Sequence, residues 1–404
     1  MACTQKPEDH RVVLCIPVYG QSLALGEEAE RITDFDLLAS INDGRIVTEN
    51  LDHAFGYFDN DNLKQMGKKL VHYHKRAYEL SVYGMAEVLT AEFGTDTLIC
   101  TFPGGQGATP LARLSKGTAP YHKFMSDIAH AYEEAAANGW TFKVPAVCYM
   151  QGESDIEDYP DTDYKQLLRQ LCTDLNQDIK SITGQHESIR IICYQSNNVS
   201  GGRHYHQDAY QCTESAVPQS QMELIRDDSL FWVSGPTYPY TFVRERIHID
   251  GTSQKRIGHL AALSVIDIIR GGNRRQGLIP SDVYARGSEV VVRYHVPVSP
   301  LQIDTTAVAK AKHYGFGVIS PKGIDILQQV IVAGDSVRLL CSQSADSCRV
   351  RYAINGELQK SGNRIGPRGN LRDSQGDSQK ATIQGKEYPL HNWSYQFDIA
   401  LSVQ

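Results

Sequence analysis

Five short runs in this chain are apolar along nearly their whole length: VVLCIPVYG at residues 12–20, TLICTF from Thr97, PAVCYM ending at Met150, IRIICYQ ending at Gln195, and LFWVS from Leu230. A strand with one wet face alternates apolar and polar residues, whereas a strand covered on both faces does not. Segments of helical period lie between the runs. Ala77, Leu80, Gly84, Val88 and Ala91 recur at helical spacing, with Lys75, Arg76 and Glu79 between or outside them, and predict a helix to about Gly94. Tyr121, Phe124, Ile128, Ala131 and Ala135 mark a second that stops at Gly139, and Leu167, Leu171, Leu175 and Ile179 a third. Buried strands alternating with helices predict an α/β fold, a three-layer α/β/α sandwich around a parallel sheet.

A last helix, Ser253 to Ile269, turns Ile257, Leu260, Ala261, Ser264, Val265 and Ile268 inward and ends at Gly271-Gly272-Asn273. Beyond it the period changes. EVVVRYHVPV, YGFGVIS, VIVAGDSVRLLC and RVRYAIN are strand-like runs separated by turn residues, which predicts a C-terminal β-rich domain over 277–404 beside an α/β domain over 11–272. At 404 residues the chain is long enough for both. A net charge of −7 and the lack of a basic stripe argue against a nucleic-acid partner, and no apolar run approaches the roughly 20 residues of a membrane-spanning helix.

Of nine cysteines, Cys15, Cys100, Cys148 and Cys193 lie inside strand-like runs, where a thiol packs as a small hydrophobe; Cys341 and Cys348 could bridge a hairpin or stay free. Met1-Ala2-Cys3-Thr4 carries no export signal as written. Cys3 before the polar TQKPEDH is compatible with an exported, lipid-anchored protein whose signal has been removed, and Met1 equally with a cytoplasmic one. Between Leu23 and Met66 periodicity is weak, and Tyr57 and Phe58 either pack this long loop onto its own domain or face a ligand.

Chemistry-bearing residues gather where strands end or a helix is about to begin. Gly20 delivers Gln21 and Ser22; PGGQGATPL at 103–111 follows the second strand; QGESD at 151–155 follows the third; ERIHID at 245–250 precedes the last helix. In open α/β sheets ligands bind at the carboxyl ends of strands. Ser22 is a candidate nucleophile and His248 its base, since imidazole titrates near neutrality. The Ser22 N–H, the Gly107 N–H and the Gln151 side-chain amide are candidate oxyanion donors. Glu245, three residues before His248, is the preferred carboxylate for the other ring nitrogen, with Asp250 and Glu153 as alternatives. Gln21 and Glu153 are candidate supports of the site.

Gly20-Gln21-Ser22, Gly105-Gln106-Gly107-Ala108-Thr109, Gln151-Gly152-Glu153-Ser154-Asp155 and Glu245-x-x-His248 resemble the successive blocks of the SGNH hydrolase superfamily. More closely they resemble its branch of sialate O-acetylesterases and acetyl xylan esterases of carbohydrate esterase family 6. The resemblance covers residues 11 to about 272. It implies a flavodoxin-like fold, a metal-independent serine esterase that needs no cofactor, an acetylated carbohydrate as substrate, and an oxyanion role for Gln151. Three positions depart from the pattern: Leu23 stands where the family usually has asparagine, Tyr149 where it has tryptophan, and Glu245 where it has aspartate.

Two other readings fit the same residues: a carbohydrate-binding protein that keeps the pocket without the catalysis, and a lipase or thioesterase of the superfamily. In the tail, Arg368, Asn370, Arg372, Asn392 and Trp393 are candidates for sugar contacts, against the preferred reading that they dock the tail onto the rest of the chain.

Overall fold

The computed structural model describes residues 11–34, 45–47, 78–158, 163–197, 217–357 and 359–401. Tyr57, Phe58 and the chain before Arg11 lie outside them. The runs identified above form a parallel sheet. Its first strand is interrupted at Ile16-Pro17 into β1 (Val12–Cys15) and β2 (Val18–Gly20). The neighbours break at matching places, into β4 (Thr97–Cys100) and β5 (Pro103–Gly105), and into β6 (Thr141–Lys143) and β7 (Ala146–Met150). Hydrogen bonds cross the breaks, from Ile16 N to Cys100 O and from Cys148 N to Pro17 O, 2.9 Å each. A two-residue strand β3 (Ile46–Val47) lies outside β4, and β8 (Arg190–Gln195) and β9 (Phe231–Pro236) extend the opposite edge.

Counting each interrupted pair as one strand and setting β3 aside, the spatial order is 2-1-3-4-5, the flavodoxin-like order whose crevice opens beside the first strand. Helices α1 (Ser81–Glu92) and α6 (Gly251–Arg270) pack together as one layer. α2 (Ala119–Ala137), α4 (Tyr164–Thr183) and α5 (Val217–Asp227) form the other, while the short α3 (Glu153–Asp158) follows β7. The first helix begins at Ser81 rather than Ala77, and the last at Gly251 because Asp250 accepts a hydrogen bond from Ser253 N, 2.8 Å, as its N-cap. On α4 the buried face uses Leu168 where the spacing pointed to Leu167, which is only half-buried.

Helix α5 has no counterpart in the sequence reading. Gln219, Ser220 and Gln221 are buried on it beside Val217, Met222, Leu224 and Ile225, so its inward face is partly polar. Their amides are satisfied: Gln221 donates to Gln151 O, 2.9 Å, and accepts from Ser196 N, 2.9 Å, while Gln219 accepts from Asp398 N, 3.0 Å. Buried amides are tolerated where every donor and acceptor finds a partner.

From Ile279 onward the strands pair antiparallel: one four-stranded sheet runs β10 (Ile279–Arg286), β11 (Glu289–His295), β15 (Ser336–Cys341), β14 (Leu327–Ala333). A second joins β13 (Phe316–Ile319), β16 (Arg349–Tyr352) and β20 (Phe397–Ala400); β12 (Gln302–Ile303) pairs with β17 (Leu371–Arg372), and β18 (Lys380–Ile383) with β19 (Lys386–Pro389). One apolar cluster runs from Val13 through Trp393 and Phe397, so both parts of the chain share a core. The junction is also hydrogen-bonded. Gln195 on β8 donates to Gln396 O, 2.9 Å, and accepts from Gln396 N, 2.8 Å, while Tyr238 donates to Ser394 O, 2.8 Å. Cys341 and Cys348 are free, buried thiols.

Two glycines set the contact between α1 and α6. A Cβ on Gly258 would lie 1.9 Å from Ser81 O, and one on Gly84 would lie 2.7 Å from Lys255 O. Gly258→Ala is expected to cost at least about 2 kcal/mol in urea unfolding, because backbone must move on both helices. Gly94→Ala, where a Cβ meets open space, stays within about 0.5 kcal/mol of the parent.

His391, 6% exposed, accepts from Gly376 N, 3.0 Å, on Nδ1. Burial and the neighbouring Arg372 pull its pKa down to about 4. A histidine whose folded pKa is depressed binds fewer protons than the unfolded chain between the two values, so its contribution to stability is lost as pH falls from 6.5 toward about 4. The urea midpoint falls across that window, and in His391→Gln, which does not titrate there, this part of the fall disappears.

Candidate active site

The site is built where β2, β5 and β7 end side by side. Gly20 pairs in register with Gly105 on one side and Met150 on the other. A Cβ on Gly20 would sit 2.0 Å from Met150 O, and one on Gly105 would sit 1.9 Å from Gly20 O. Three backbones therefore approach more closely than any side chain permits, and the segments after them share one crevice.

Ser22 lies in the turn after β2 and is 4% exposed. His248 Nε2 is 2.8 Å from its Oγ, and His248 Nδ1 is 2.7 Å from Glu28 Oε2. Serine, imidazole and carboxylate thus stand in one hydrogen-bonded line. A small hairpin presents the histidine: Val243 N donates to His248 O, 2.7 Å, and Asp250 N to Thr241 O, 3.0 Å. Arg244 and Glu245 turn it, with φ of 53° and 54°.

The carboxylate on the ring is Glu28, which corrects the expectation for Glu245. In its left-handed position Glu245 points to Arg364, 3.7 Å away, and its carbonyl accepts from Ser361 N, 3.0 Å. The two alternatives are also engaged elsewhere. Asp250 caps α6, and both oxygens of Glu153, 2% exposed, lie within 2.7 Å of Tyr194 Oη, so that glutamate braces the floor of the site. Only the chain path brings Glu28 back to His248, and nothing in the run Glu27-Glu28-Ala29-Glu30 distinguishes it.

That path is clamped by Glu79, which is fully buried. Its Oε2 accepts from Ile32 N and Thr33 N, 2.8 Å each, its Oε1 accepts from Thr33 Oγ1, 2.6 Å, and its own N–H donates to Ala29 O, 3.0 Å. Burial pushes the Glu79 carboxyl above the usual carboxylate range, while the three donors and Lys255 pull it back. Arg244 pairs with the second oxygen of Glu28, leaving Oε2 for the ring.

Among the described residues, the N–H groups of Ser22 and Gly107 meet no acceptor. The Gln151 amide does not share that freedom, which corrects its expected oxyanion role. Its Nε2 donates to Asp155 Oδ2, 2.5 Å, and to Thr109 O, 3.3 Å, and its Oε1 accepts from Tyr149 Oη, 3.1 Å. Both amide hydrogens are used, so in this structure Gln151 ties the end of β7 to the glycine block. Asp155 completes the tie through Leu111 N, 2.9 Å. Gln21 does similar work, accepting from Ser154 N at 3.2 Å. Leu23 is 1% exposed in the core, and its carbonyl accepts from Gln254, 3.0 Å.

The tail residues offered as sugar contacts have other partners. Asn370 binds Ala311 N and the carbonyls of Asp304 and Val308; Arg372 pairs with Asp304, 2.9 Å; Asn392 donates to Asp373, 2.7 Å, and Gln375, 3.0 Å. Trp393 is 5% exposed and packs edge-on against Tyr238 of the α/β part. Arg368 donates to three main-chain carbonyls. Trp393 docks the tail, and Asn370, Arg372 and Asn392 fix the tail's own loops.

Residues 84–267 match the family model described as carbohydrate esterase, sialic acid-specific acetylesterase. A carbohydrate acetylesterase from Xanthomonas citri shares the fold with a TM-score of 0.62 and 13% identity, over 96% of this chain and 80% of its own. NanS is 15% identical over 65% of this chain and 99% of its own, with a TM-score of 0.45. A protein from Arabidopsis thaliana is 15% identical over 64% of this chain and 98% of its own, with a TM-score of 0.43. The search of curated proteins gives no match. Residues 84–267, which include the QGESD segment and His248, are thus similar to sialic acid-specific carbohydrate acetylesterases.

Proposed function

We propose that the protein is a serine esterase that removes O-acetyl groups from a carbohydrate through an acetyl-enzyme on Ser22. The observation that carries this reading is the line Ser22 Oγ, His248, Glu28, with contacts of 2.8 and 2.7 Å. Ser22 Oγ attacks the acetyl carbonyl carbon while His248 Nε2 takes its proton. Glu28 holds the proton on Nδ1 and steadies the imidazolium that forms. The carbonyl oxygen gains negative charge, and the N–H groups of Ser22 and Gly107, which meet no acceptor among the described residues, are the donors proposed for it.

When the tetrahedral intermediate collapses, the carbon–oxygen bond to the sugar breaks and His248 returns the proton to the sugar hydroxyl. Water then enters, gives a proton to His248 and attacks the acetyl carbon. Acetate leaves and Ser22 recovers its hydrogen. The acetylated carbohydrate as substrate rests on the match of residues 84–267 to the model of sialic acid-specific carbohydrate acetylesterases.

Ser22→Ala is expected to abolish acetate release from acetylated sugars and labelling by a fluorophosphonate; undiminished turnover in that variant overturns the proposal. Glu28→Gln should lower kcat by about 10²–10⁴-fold, as loss of the orienting carboxylate does in comparable triads, while Glu245→Gln stays within a few-fold of the parent. The reverse ranking would return the role to Glu245. Glu79→Gln, which weakens the clamp, is expected to lower kcat in the parent but have little further effect in a Glu28→Gln background. Additive losses would mean that Glu79 does not act through Glu28.

A further inference from the structure

A groove of about 490 Å³ opens in the β-rich part, of the size that takes a sugar residue or two. Lys312, Phe316, Asp325, Arg351, Asn355 and Arg368 line it. Three of these are cations, and two have their charge met: Arg351 pairs with Asp398, 2.9 Å, and Lys312 with Asp325, 3.2 Å. Arg368 differs. Its Nε, Nη1 and Nη2 donate to the carbonyls of Ala309, Gly366 and Lys310 at 2.9, 3.0 and 3.3 Å, and among the described residues no carboxylate pairs with it. Three of its five hydrogens are used, which fixes the guanidinium plane and leaves one on each Nη. Burial lowers the Arg368 pKa, the mark of a cation part-stripped of water, and Glu357 acts on it only at a distance.

Residues close in sequence to the lining ones are also held in a costly conformation. His313, Tyr314 and Ala353 have φ of 47°, 56° and 57°, and Ala353 N donates to Gly315 O, 2.9 Å. Each non-glycine residue in this region costs on the order of 1 kcal/mol or more, and such strain gathers at ligand sites. The loop that supplies Asn355 and Arg368 reaches the catalytic hairpin in between. Ser361 N donates to Glu245 O, 3.0 Å, Gly362 N to Asn197 Oδ1, 2.6 Å, and Asn363 N to Tyr240 O, 3.2 Å. One loop therefore walls the groove at its base and rests on the histidine-bearing hairpin at its tip.

We propose that this groove is an accessory site for a carboxylate-bearing sugar residue of the glycan deacetylated at Ser22, with Arg368 as the seat of the carboxylate. The geometry supplies each part of such a ligand with a partner. The paired N–H groups of the guanidinium match two carboxylate oxygens, Asn355 and Asp325 offer donors and acceptors to ring hydroxyls, and Phe316 offers an apolar wall to the C–H face. That the ligand belongs to the substrate rests on the esterase reading above; that the groove binds it does not.

The test is calorimetry on the full chain carrying Ser22→Ala, with three probes: an oligosaccharide ending in glucuronic acid, its neutral glucose counterpart, and sodium sulfate. The acidic oligosaccharide is expected to bind at least tenfold more tightly than either other probe. Asn355→Trp, which fills the groove from an exposed position, and Lys312→Glu, which reverses an exposed charge, should each weaken it at least tenfold with unchanged Tm. Equal binding of the neutral sugar, equal binding of sulfate, no binding at all, or binding undiminished in both variants overturns the proposal. Hydrolysis of p-nitrophenyl acetate by Asn355→Trp in the Ser22 background should equal the parent's. If the parent itself does not turn over this ester, the esterase reading fails while the calorimetry still decides the groove.

Discussion

The structure depends on the close approach of three strand ends, made possible because Gly20 and Gly105 carry no side chain. With Gly20 facing Met150 and Gly105 across the ladder, the turns that follow β2, β5 and β7 are forced into one crevice. Backbone cannot yield by 2 Å without parting the sheet, so this contact fixes the site more firmly than any single hydrogen bond around it. Ser22, the glycine block and the QGESD segment meet because their strands do.

Around that contact the protein adds buried amides and carboxylates to its apolar packing. Gln21, Gln151, Gln195 and Gln221 are all almost fully buried, and their hydrogen bonds run from strand end to strand end, to α5 and to the last strand of the β-rich part. Such groups cost free energy unless paired, and once paired they admit few alternative arrangements. The result is a rigid floor of main chain and amides, above which Ser22, His248 and Glu28 are held by two turns, one clamped by Glu79 and one braced against residues 361–363 of the tail. The C-terminal part thus contributes directly to where the histidine stands.

The sheet, the approximate places of four helices, and the positions of Ser22 at a strand end and His248 before a helix were legible in the sequence, because burial on both faces, helical period and strand-end position each leave a local pattern. Helix α5 was not: it spans only Val217–Asp227, and its inward face mixes Gln219, Ser220 and Gln221 with Met222, Leu224 and Ile225. Arg372 and the tail's asparagines read as ligand contacts because exposed and buried polar residues look alike until their partners are known; Asn370, with all its bonds inside the fold, is a structural strut.

The sequence by itself determined which chemistry the chain carries: a serine at a strand end, a histidine before a helix, and glycines where backbones must touch. The tertiary structure decided which carboxylate lies against the histidine and that the Gln151 amide is already engaged. Glu245 is three residues away along the chain, yet its left-handed backbone turns it toward Arg364, whereas Glu28 is brought 2.7 Å from the ring by a loop that Glu79 ties down. Proximity along a chain is a weak guide wherever a turn separates neighbours, because a single change in φ redirects a side chain while a buried clamp can carry a distant one home.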